Sequence, residues 1–224
     1  NLRVMVNGMP GPMATATAEA CLRKGIELAP FALTGPSVAR SELVVTDPDS
    51  GRAQTVTLIP DRDGEGTKLL EEMREATDDV RAIDYTHPSA VNDNAKWYKK
   101  NGLPFVMGTT GGDREMLMED VRGLNCVIAP NMGKQIVAMQ RALENLSRDF
   151  PGAFGGYSLD VVESHQKKKA DTSGTAKAVI ECINGLTKPS FFDVEEETKL
   201  IRDDDESVEF GVPREYVDGH AHHT

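Results

Sequence analysis

The fold of this chain can be predicted from residues 2–14, which read LRVMVNGMPGPMA. The apolar run Leu2–Val6 predicts a short buried β-strand, and a helix follows the loop. The loop carries the pattern Gly8-x-x-Gly11-x-x-Ala14, whose small residues permit a tight turn and close packing of helix on strand. We therefore predict the first βα unit of a dinucleotide-binding domain, with a pyrophosphate at the helix N-terminus. An ordinary Gly/Pro turn is the alternative.

Strands and helices alternate through the first part of the chain. Strands are predicted at Ile26–Leu33, Val80–Tyr85, Pro104–Met107 and Cys126–Ala129, and helices at Thr15–Lys24, Lys68–Thr77, Ala90–Asn101 and Arg114–Leu124. Leu43–Val45 and Thr55–Ile59 predict a hairpin or an elaborated loop between them. This alternation predicts an α/β fold, a Rossmann-type parallel sheet with helices on both faces.

The pattern changes after Asn131. Helices are predicted at Gln135–Asp149 and Thr175–Asn184, and strands at Tyr157–Val162, Lys199–Arg202 and Ser207–Phe210. We therefore expect two domains. Residues 1–132 form the dinucleotide-binding domain, and residues 133–224 form a smaller α+β domain for substrate binding and oligomerisation.

Composition excludes several classes of protein. The net charge of −11 leaves no basic footprint for nucleic acid. No stretch approaches the roughly 20 apolar residues of a membrane span. Three widely spaced cysteines, Cys21, Cys126 and Cys182, argue against a disulfide framework or a zinc site and suit a reducing compartment. The nine acids between Asp193 and Glu209 are interpreted as a solvated face.

The end of the second predicted strand bears on the choice of cofactor. A site specific for NAD places an acid there, whereas this strand ends in Ala32-Leu33-Thr34-Gly35. Arg40 follows and can meet an adenosine 2′-phosphate. We therefore expect NADPH to bind at least as well as NADH.

Two later segments carry polar groups suited to a substrate. Residues 105–112 end a core strand in a Gly/Thr loop, at the edge of the sheet where ligands bind. Residues 163–176, ESHQKKKADTSGTA, offer an imidazole at His165, an ammonium at Lys169 and a hydroxyl-bearing helix start at Ser173. A helix N-terminus receives a carboxylate well, and Lys169 can donate a proton. A basic surface loop with a plain N-cap is the alternative.

These segments resemble the 4-hydroxy-tetrahydrodipicolinate reductase (dihydrodipicolinate reductase) family, most closely its plant and algal form. The resemblance runs nearly from end to end. It is carried by the Gly8 loop, Asp84-Tyr85-Thr86, residues 106–112, residues 130–135 and residues 163–175. It implies reduction of 4-hydroxy-tetrahydrodipicolinate to tetrahydrodipicolinate with NADPH (or NADH), in the diaminopimelate route to lysine. The implied compartment is the plastid stroma for a plant or algal type, and otherwise the cytoplasm.

The resemblance also implies a role for individual residues. The cofactor phosphates would be held by Gly8, Gly11 and Met13, and the nicotinamide half of the cofactor would be lined by Thr86, Gly108, Thr109 and Thr110. The proton would be donated by Lys169 with help from His165. A carboxylate of the small dicarboxylate substrate would be bound by Ser173, Gly174 and Thr175. Gln166 stands where the bacterial pattern has a second histidine, so this chain has a single imidazole in the motif.

Two departures from the family pattern support a different function. Pro12 replaces a usual basic residue, and the chain stops at Thr224, where family members continue with a closing segment. The alternative function is a catalytically weakened relative that serves as a binding or assembly subunit. We expect a homo-oligomer, or a partner covering the truncated C-terminal surface. His220, His222 and His223 are interpreted as a segment entering the substrate cleft and not as a metal site.

Overall fold

A computed structural model describes residues 2–77, 79–109, 111–129, 131–165, 173–188, 192–219 and 221–223. The chain divides into two compact units, Asn1–Pro130 and Asn131–Thr224. Within the described ranges, the model contains no helix that is both long and apolar enough to cross a bilayer.

The first unit is built on a five-stranded parallel sheet with the strand order β2-β1-β6-β7-β8. Its strands are β1 (Arg3–Asn7), β2 (Glu27–Leu28), β6 (Val80–Asp84), β7 (Phe105–Met107) and β8 (Cys126–Ile128). A second sheet contains β3 (Phe31–Leu33), β4 (Ser41–Thr46) and β5 (Ala53–Ile59). The helices are α1 (Pro12–Arg23), α2 (Thr67–Ala76), α3 (Val91–Lys100) and α4 (Arg114–Asp120). The predicted α/β fold is confirmed.

Helices on both faces of the sheet follow from the alternation of side chains along its strands. In β1, Met5 packs into a cluster with Leu70, Trp97 and Leu117, which come from α2, α3 and α4. The neighbouring Val4 points the other way, into a cluster formed with α1 and the β4–β5 hairpin. β1 is thus buried on both sides, as is usual for a central strand of a parallel sheet, whereas β8 is only partly buried.

The predicted strand Ile26–Leu33 is wrong in one respect, because it is broken in two. β2 pairs with β1, whereas β3 leaves the main sheet and pairs in parallel with β5. Pro30 stands at the break and has no N–H to donate to a strand ladder. The predicted hairpin is confirmed, since β4 and β5 pair in antiparallel fashion from Ser41↔Leu58 to Thr46↔Ala53.

The second unit combines helices with a small antiparallel sheet of order β10-β11-β9. Its helices are α5 (Lys134–Asp149), α6 (Gly174–Leu186), α7 (Val194–Glu197) and α8 (Asp204–Glu209), and its strands are β9 (Glu163–His165), β10 (Leu200–Ile201) and β11 (Ala221–His223). The two long helices and the strand near Lys199 agree with the sequence prediction.

Two predicted strands of this unit are wrong. Residues 157–162 form no strand, and their apolar side chains at Tyr157 and Val162 are exposed, so no buried face stabilises one. Ser207–Phe210 falls largely in α8. Asp203 caps this helix by accepting hydrogen bonds from the amides of Asp205 and Glu206. Three acids in its first turn also suit the positive end of the helix dipole.

Candidate functional site

The glycine loop after β1 has a backbone that only small residues permit. Gly8 has a φ of +103°, and a Cβ there would collide with the carbonyl oxygen of Tyr85. Its amide donates to the Leu33 carbonyl at 2.9 Å, and its own carbonyl accepts from the Gly11 amide at 2.9 Å. A Cβ on Gly11 would lie 2.8 Å from that same carbonyl. Both glycines are therefore needed for the turn itself.

The helix that follows this loop starts without a side-chain cap. Gly11 is the N-cap residue of α1, Pro12 is its first residue, and the first turn contains no acidic residue. The first intrahelical bond of the turn runs from Thr15 to Gly11. The amides of Met13 and Ala14 precede it and have no partner within the helix. Met13 is 59% exposed. This end of α1 therefore presents N–H groups and a positive dipole to an anion.

The loops after β6 and β7 meet beside the glycine loop. The Thr86 amide and hydroxyl both donate to Asp84, at 2.9 and 2.6 Å. Thr109 donates its hydroxyl to the Thr86 carbonyl at 3.0 Å, and the Gly108 amide donates to the Asp84 carbonyl at 3.0 Å. Gly108 lies against the Tyr85 ring, which leaves no room for a Cβ. Thr110, predicted for the same edge, lies outside the described residues.

Arg40 is engaged by a neighbouring carboxylate. Its Nε lies 2.8 Å from an oxygen of Glu65, and 59% of the Arg40 side chain is exposed. A cleft of about 340 Å³ opens at the ends of β3 and β5 and takes in Thr34, Gly35 and Thr86. The guanidinium that lines this cleft belongs to Arg62, which sequence reasoning missed because it follows a strand end with no recognisable motif.

Arg62 shares the cleft with carboxylates. Its Nη2 pairs with Asp63 at 2.8 Å, and its Nη1 donates to Asn94 at 3.2 Å. Asp61 and Asp93 also line the cleft. Hydrogen bonds from the backbone amides of residues 64 and 65 lower the pKa of Asp61, which keeps that carboxyl group charged. The cleft therefore contains one guanidinium among three acids.

In the second unit, Ser173 is the N-cap residue of α6. Its hydroxyl accepts from the Ala176 amide at 3.0 Å. The Ser173 amide and hydroxyl both donate to the Glu163 carboxylate, at 2.8 and 2.5 Å. Sequence reasoning gave Glu163 no role, because the strand predicted at Tyr157–Val162 ended before it. A protein carboxylate thus contacts the helix start that was predicted to bind a substrate carboxylate.

The next two residues of this helix start complete the predicted substrate group. Thr175 accepts a hydrogen bond on its hydroxyl from Asn131 Nδ2 at 3.1 Å, and Asn131 also accepts from the Gly133 amide at 2.8 Å. Gly174 is the first residue of α6. The structure therefore brings Ser173, Gly174 and Thr175 together on one turn, which is anchored from both sides.

The predicted proton-donating group lies largely outside the described residues. This holds for Lys169 and for Gln166. The backbone of His165 ends β9 and pairs with Ala221 of β11. His222 and His223 lie in β11, whereas His220 is outside the described residues. Catalytic roles in this segment stay predictions.

A parallel sheet whose first strand passes through a glycine turn into an uncapped helix defines the Rossmann-type class of dinucleotide-binding proteins. Comparison with known families agrees. Residues 2–132 match the family model described as dihydrodipicolinate reductase, N-terminus, and residues 135–222 match the model described as dihydrodipicolinate reductase, C-terminus. The chain belongs to the dihydrodipicolinate reductase family, which confirms the resemblance seen in the sequence.

Individual relatives support the same assignment. The protein named 4-hydroxy-tetrahydrodipicolinate reductase 1, chloroplastic, of Arabidopsis thaliana is 45% identical over 99% of this chain. The probable 4-hydroxy-tetrahydrodipicolinate reductase 1, chloroplastic, of Oryza sativa subsp. japonica is 43% identical over 98% of it. The chain spans 62% of the length of each of these relatives.

A solved structure shares the fold. It is described as a dipicolinate-bound dihydrodipicolinate reductase from Paenisporosarcina sp. TG-14, and it matches with a TM-score of 0.56. The match covers 86% of this chain and 69% of that one, at 23% identity. It supports the fold of the chain.

Proposed function

We propose that this chain carries out the NAD(P)H-dependent reduction of 4-hydroxy-tetrahydrodipicolinate to tetrahydrodipicolinate in lysine biosynthesis. The observation that carries the proposal is the uncapped N-terminus of α1 behind the glycine turn at Gly8 and Gly11. The turn leaves no space for side chains, and the helix end offers amides to a pyrophosphate. The names of the relatives supply the reaction.

The cofactor would supply a hydride. The residues of the chain would bind and orient the cofactor and the substrate, and would protonate the reduced ring. The amides around Gly11 and Met13 would hold the cofactor phosphates. Thr86, Gly108, Thr109 and Thr110 would line its nicotinamide half, and Arg40 would meet a 2′-phosphate. These roles rest on the family pattern and on the position of the described members at the carboxyl ends of the strands, where ligands bind in such sheets.

The substrate residues would act through charge and position. Ser173, Gly174 and Thr175 start α6, so their polar groups and the helix dipole favour a carboxylate. The substrate would lose its hydroxyl as water, the hydride would add to the ring, and Lys169 would donate the balancing proton, with His165 assisting. Glu163 accepts two hydrogen bonds from Ser173, and the Thr175 hydroxyl accepts one from Asn131. The amides of Gly174 and Thr175 and the proton of the Thr175 hydroxyl would therefore contact the substrate carboxylate.

The experiment is turnover of freshly prepared substrate by the full chain, with NADPH and with NADH, followed as loss of reduced-nucleotide absorbance. Lys169→Ala is the control, since it should retain nucleotide binding and lose turnover. Fluorescence titration with NADPH measures the Kd for the nucleotide separately from turnover. A chain that binds nucleotide but turns over no more than Lys169→Ala would instead support a weakened relative that serves as a binding subunit.

We also propose a plastid location, because the relatives cited above are named chloroplastic. A homo-oligomer is proposed as its assembly, or a partner that covers the exposed sheet described below. Imaging of the full-length tagged protein and sedimentation of the purified chain test these two proposals independently of turnover.

A further inference from the structure

Asp84, at the end of β6, is a fully buried carboxylate that accepts four hydrogen bonds. One of its oxygens accepts from the Thr86 amide and hydroxyl at 2.9 and 2.6 Å. The other accepts from the Tyr98 hydroxyl at 2.5 Å and from Asn94 at 3.0 Å. All four donors are uncharged. Burying a charge in this way is costly, and no ion pair with these donors offsets the cost.

The hydrogen bonds continue from Tyr98 to the glycine loop. The Tyr98 hydroxyl accepts from Asn7 Nδ2 at 2.8 Å, and Asn7 Oδ1 accepts from the Leu33 amide at 2.8 Å. The carbonyl of Leu33 in turn accepts from the Gly8 amide. Burial, together with the adjacent Asp84 charge, raises the pKa of Tyr98 well above its usual range, so its hydroxyl keeps its proton.

The network therefore ends at the segments that the cofactor would contact. From one buried tyrosine it reaches the Gly8 turn through Asn7 and Leu33, and it reaches Thr86 through Asp84. An apolar core would fill the same space, but it would not specify where each loop leaves its strand. Hydrogen-bonded networks of this kind fix one arrangement of the groups they join.

We propose that Tyr98, Asp84 and Asn7 are positioning residues, which hold the Gly8 turn and Thr86 in the arrangement that binds the nicotinamide cofactor. The inference rests on the proposed function, because it assumes that a cofactor binds there. None of the three needs to contact the cofactor, since each acts through the loop it anchors.

The test is the Tyr98→Phe substitution in the full chain. It removes one hydroxyl, which leaves Asn7 without its acceptor and Asp84 without one donor. We expect the Kd for both NADPH and NADH to rise about tenfold, a usual effect of losing a buried hydrogen bond to a charged group. The KM for the cofactor should rise in parallel, while the KM for the dicarboxylate stays unchanged. Hydrogen exchange at the amides of Leu33 and Thr86 should accelerate.

Thr67→Val is the matched control. Thr67 accepts a hydrogen bond from Trp97, the residue next to Tyr98 on α3, at 2.9 Å. The substitution removes one hydroxyl from α2, which contacts Trp97 of α3 and the Arg62 carbonyl. This hydroxyl makes no hydrogen bond with Asn7, Asp84 or Tyr98. We expect a lower melting temperature and an unchanged cofactor Kd.

Two results would overturn the inference: a wild-type Kd in Tyr98→Phe, or an equal rise of the Kd in Thr67→Val. A wild-type chain that binds neither nucleotide would overturn the proposed function itself, and the inference with it.

Discussion

Arg40 and Glu65 form an exposed ion pair on the first unit, and this pair bears on cofactor choice. Such pairs contribute only about 0.2–1 kcal/mol, so a cofactor phosphate can draw Arg40 away from Glu65. We predict that Arg40→Ala weakens NADPH binding and leaves NADH binding unchanged. Glu65→Gln should tighten NADPH binding about two- to fivefold, because it frees the Arg40 guanidinium from its ion pair.

Titrations of both variants with the two nucleotides check this prediction. Arg62→Ala is the comparison, since Arg62 lines the cleft but is already paired with Asp63. A selective loss of NADPH binding in Arg62→Ala, with none in Arg40→Ala, would show that the sequence singled out the wrong arginine.

Lys169 is the residue that we expect to donate the proton. Lys169→Ala should lower kcat by roughly 10²–10⁴-fold, the usual range for a general acid. His165→Ala should have a smaller effect, because Gln166 already replaces one imidazole of the bacterial pattern. Steady-state kinetics separate the two. If both variants lose little kcat and Lys169→Ala mainly raises KM, Lys169 binds the substrate and donates no proton.

The N-cap residue of helix α6, Ser173, also belongs to the proposed substrate site. Ser173→Ala removes the N-cap hydroxyl, which should cost about 1 kcal/mol of stability and raise the KM for the dicarboxylate. Asp203→Ala is a matched control in the same unit, since Asp203 caps α8 in a similar way. It should destabilise without changing KM. Chemical denaturation and steady-state kinetics of both variants test this prediction. An equal KM for the dicarboxylate in the two variants would show that Ser173 does not bind the substrate.

The β4–β5 hairpin should carry part of the pH dependence of stability. Asp47 follows β4 and accepts from the Ser50 amide and hydroxyl, at 2.9 and 2.5 Å, and from Arg23 at 3.1 Å. The hydrogen bond from the Ser50 side chain is the main cause that lowers the pKa of Asp47. The unfolded carboxyl group titrates near pH ~3.9, so the stabilisation is full above that pH. It is lost as the pH falls through the lower pKa of the folded state.

Asp47→Asn tests this assignment, because an amide does not titrate in this range. The variant should be less stable than the wild type at about pH 7, and the difference should shrink as the pH falls below ~3.9. Urea midpoints across that range give the answer. A difference that stays constant with pH would mean that the ionisation of Asp47 contributes nothing.

At the scale of the whole molecule, one face of the five-stranded sheet in the first unit carries exposed apolar surface. Ile83, Val106 and Val127 are neighbours in register across β6, β7 and β8. With Val4 they line a hollow of about 540 Å³, and Val127 is 52% exposed. Exposed apolar surface of this kind marks an interface or a surface that another segment covers. The segment or partner that would cover this surface stays a prediction.

We predict that the chain binds an apolar dye such as anilinonaphthalene sulfonate at this face, and that Val127→Lys reduces the signal. Val44→Lys is the control, because Val44 is a strand valine of similar exposure, 63%, on the β4–β5 hairpin. Sedimentation of the same variants reports whether the face also drives self-association. Equal dye binding by all three proteins would contradict a functional role for this surface.

Local sequence signals were enough to predict the alternating elements of the first unit, the glycine turn and the helix start at Ser173. They are readable because each depends on residues close together in the chain: a strand, a tight turn and a cap. The break at Pro30 is a local signal too, but the pairing of β3 with β5 is not, since it depends on which strand lies alongside.

The positions of charged and polar partners depended on the fold. Glu163 reaches Ser173 ten residues on, and Asn7 reaches Tyr98 across 91 residues, so no pattern in the sequence joins them. The Arg40–Glu65 pair is of the same kind, because its members are separated by 25 positions in the sequence. Hydrogen bonds and ion pairs form between groups that packing brings within about 3 Å, and that distance is set only when the strands and helices assemble.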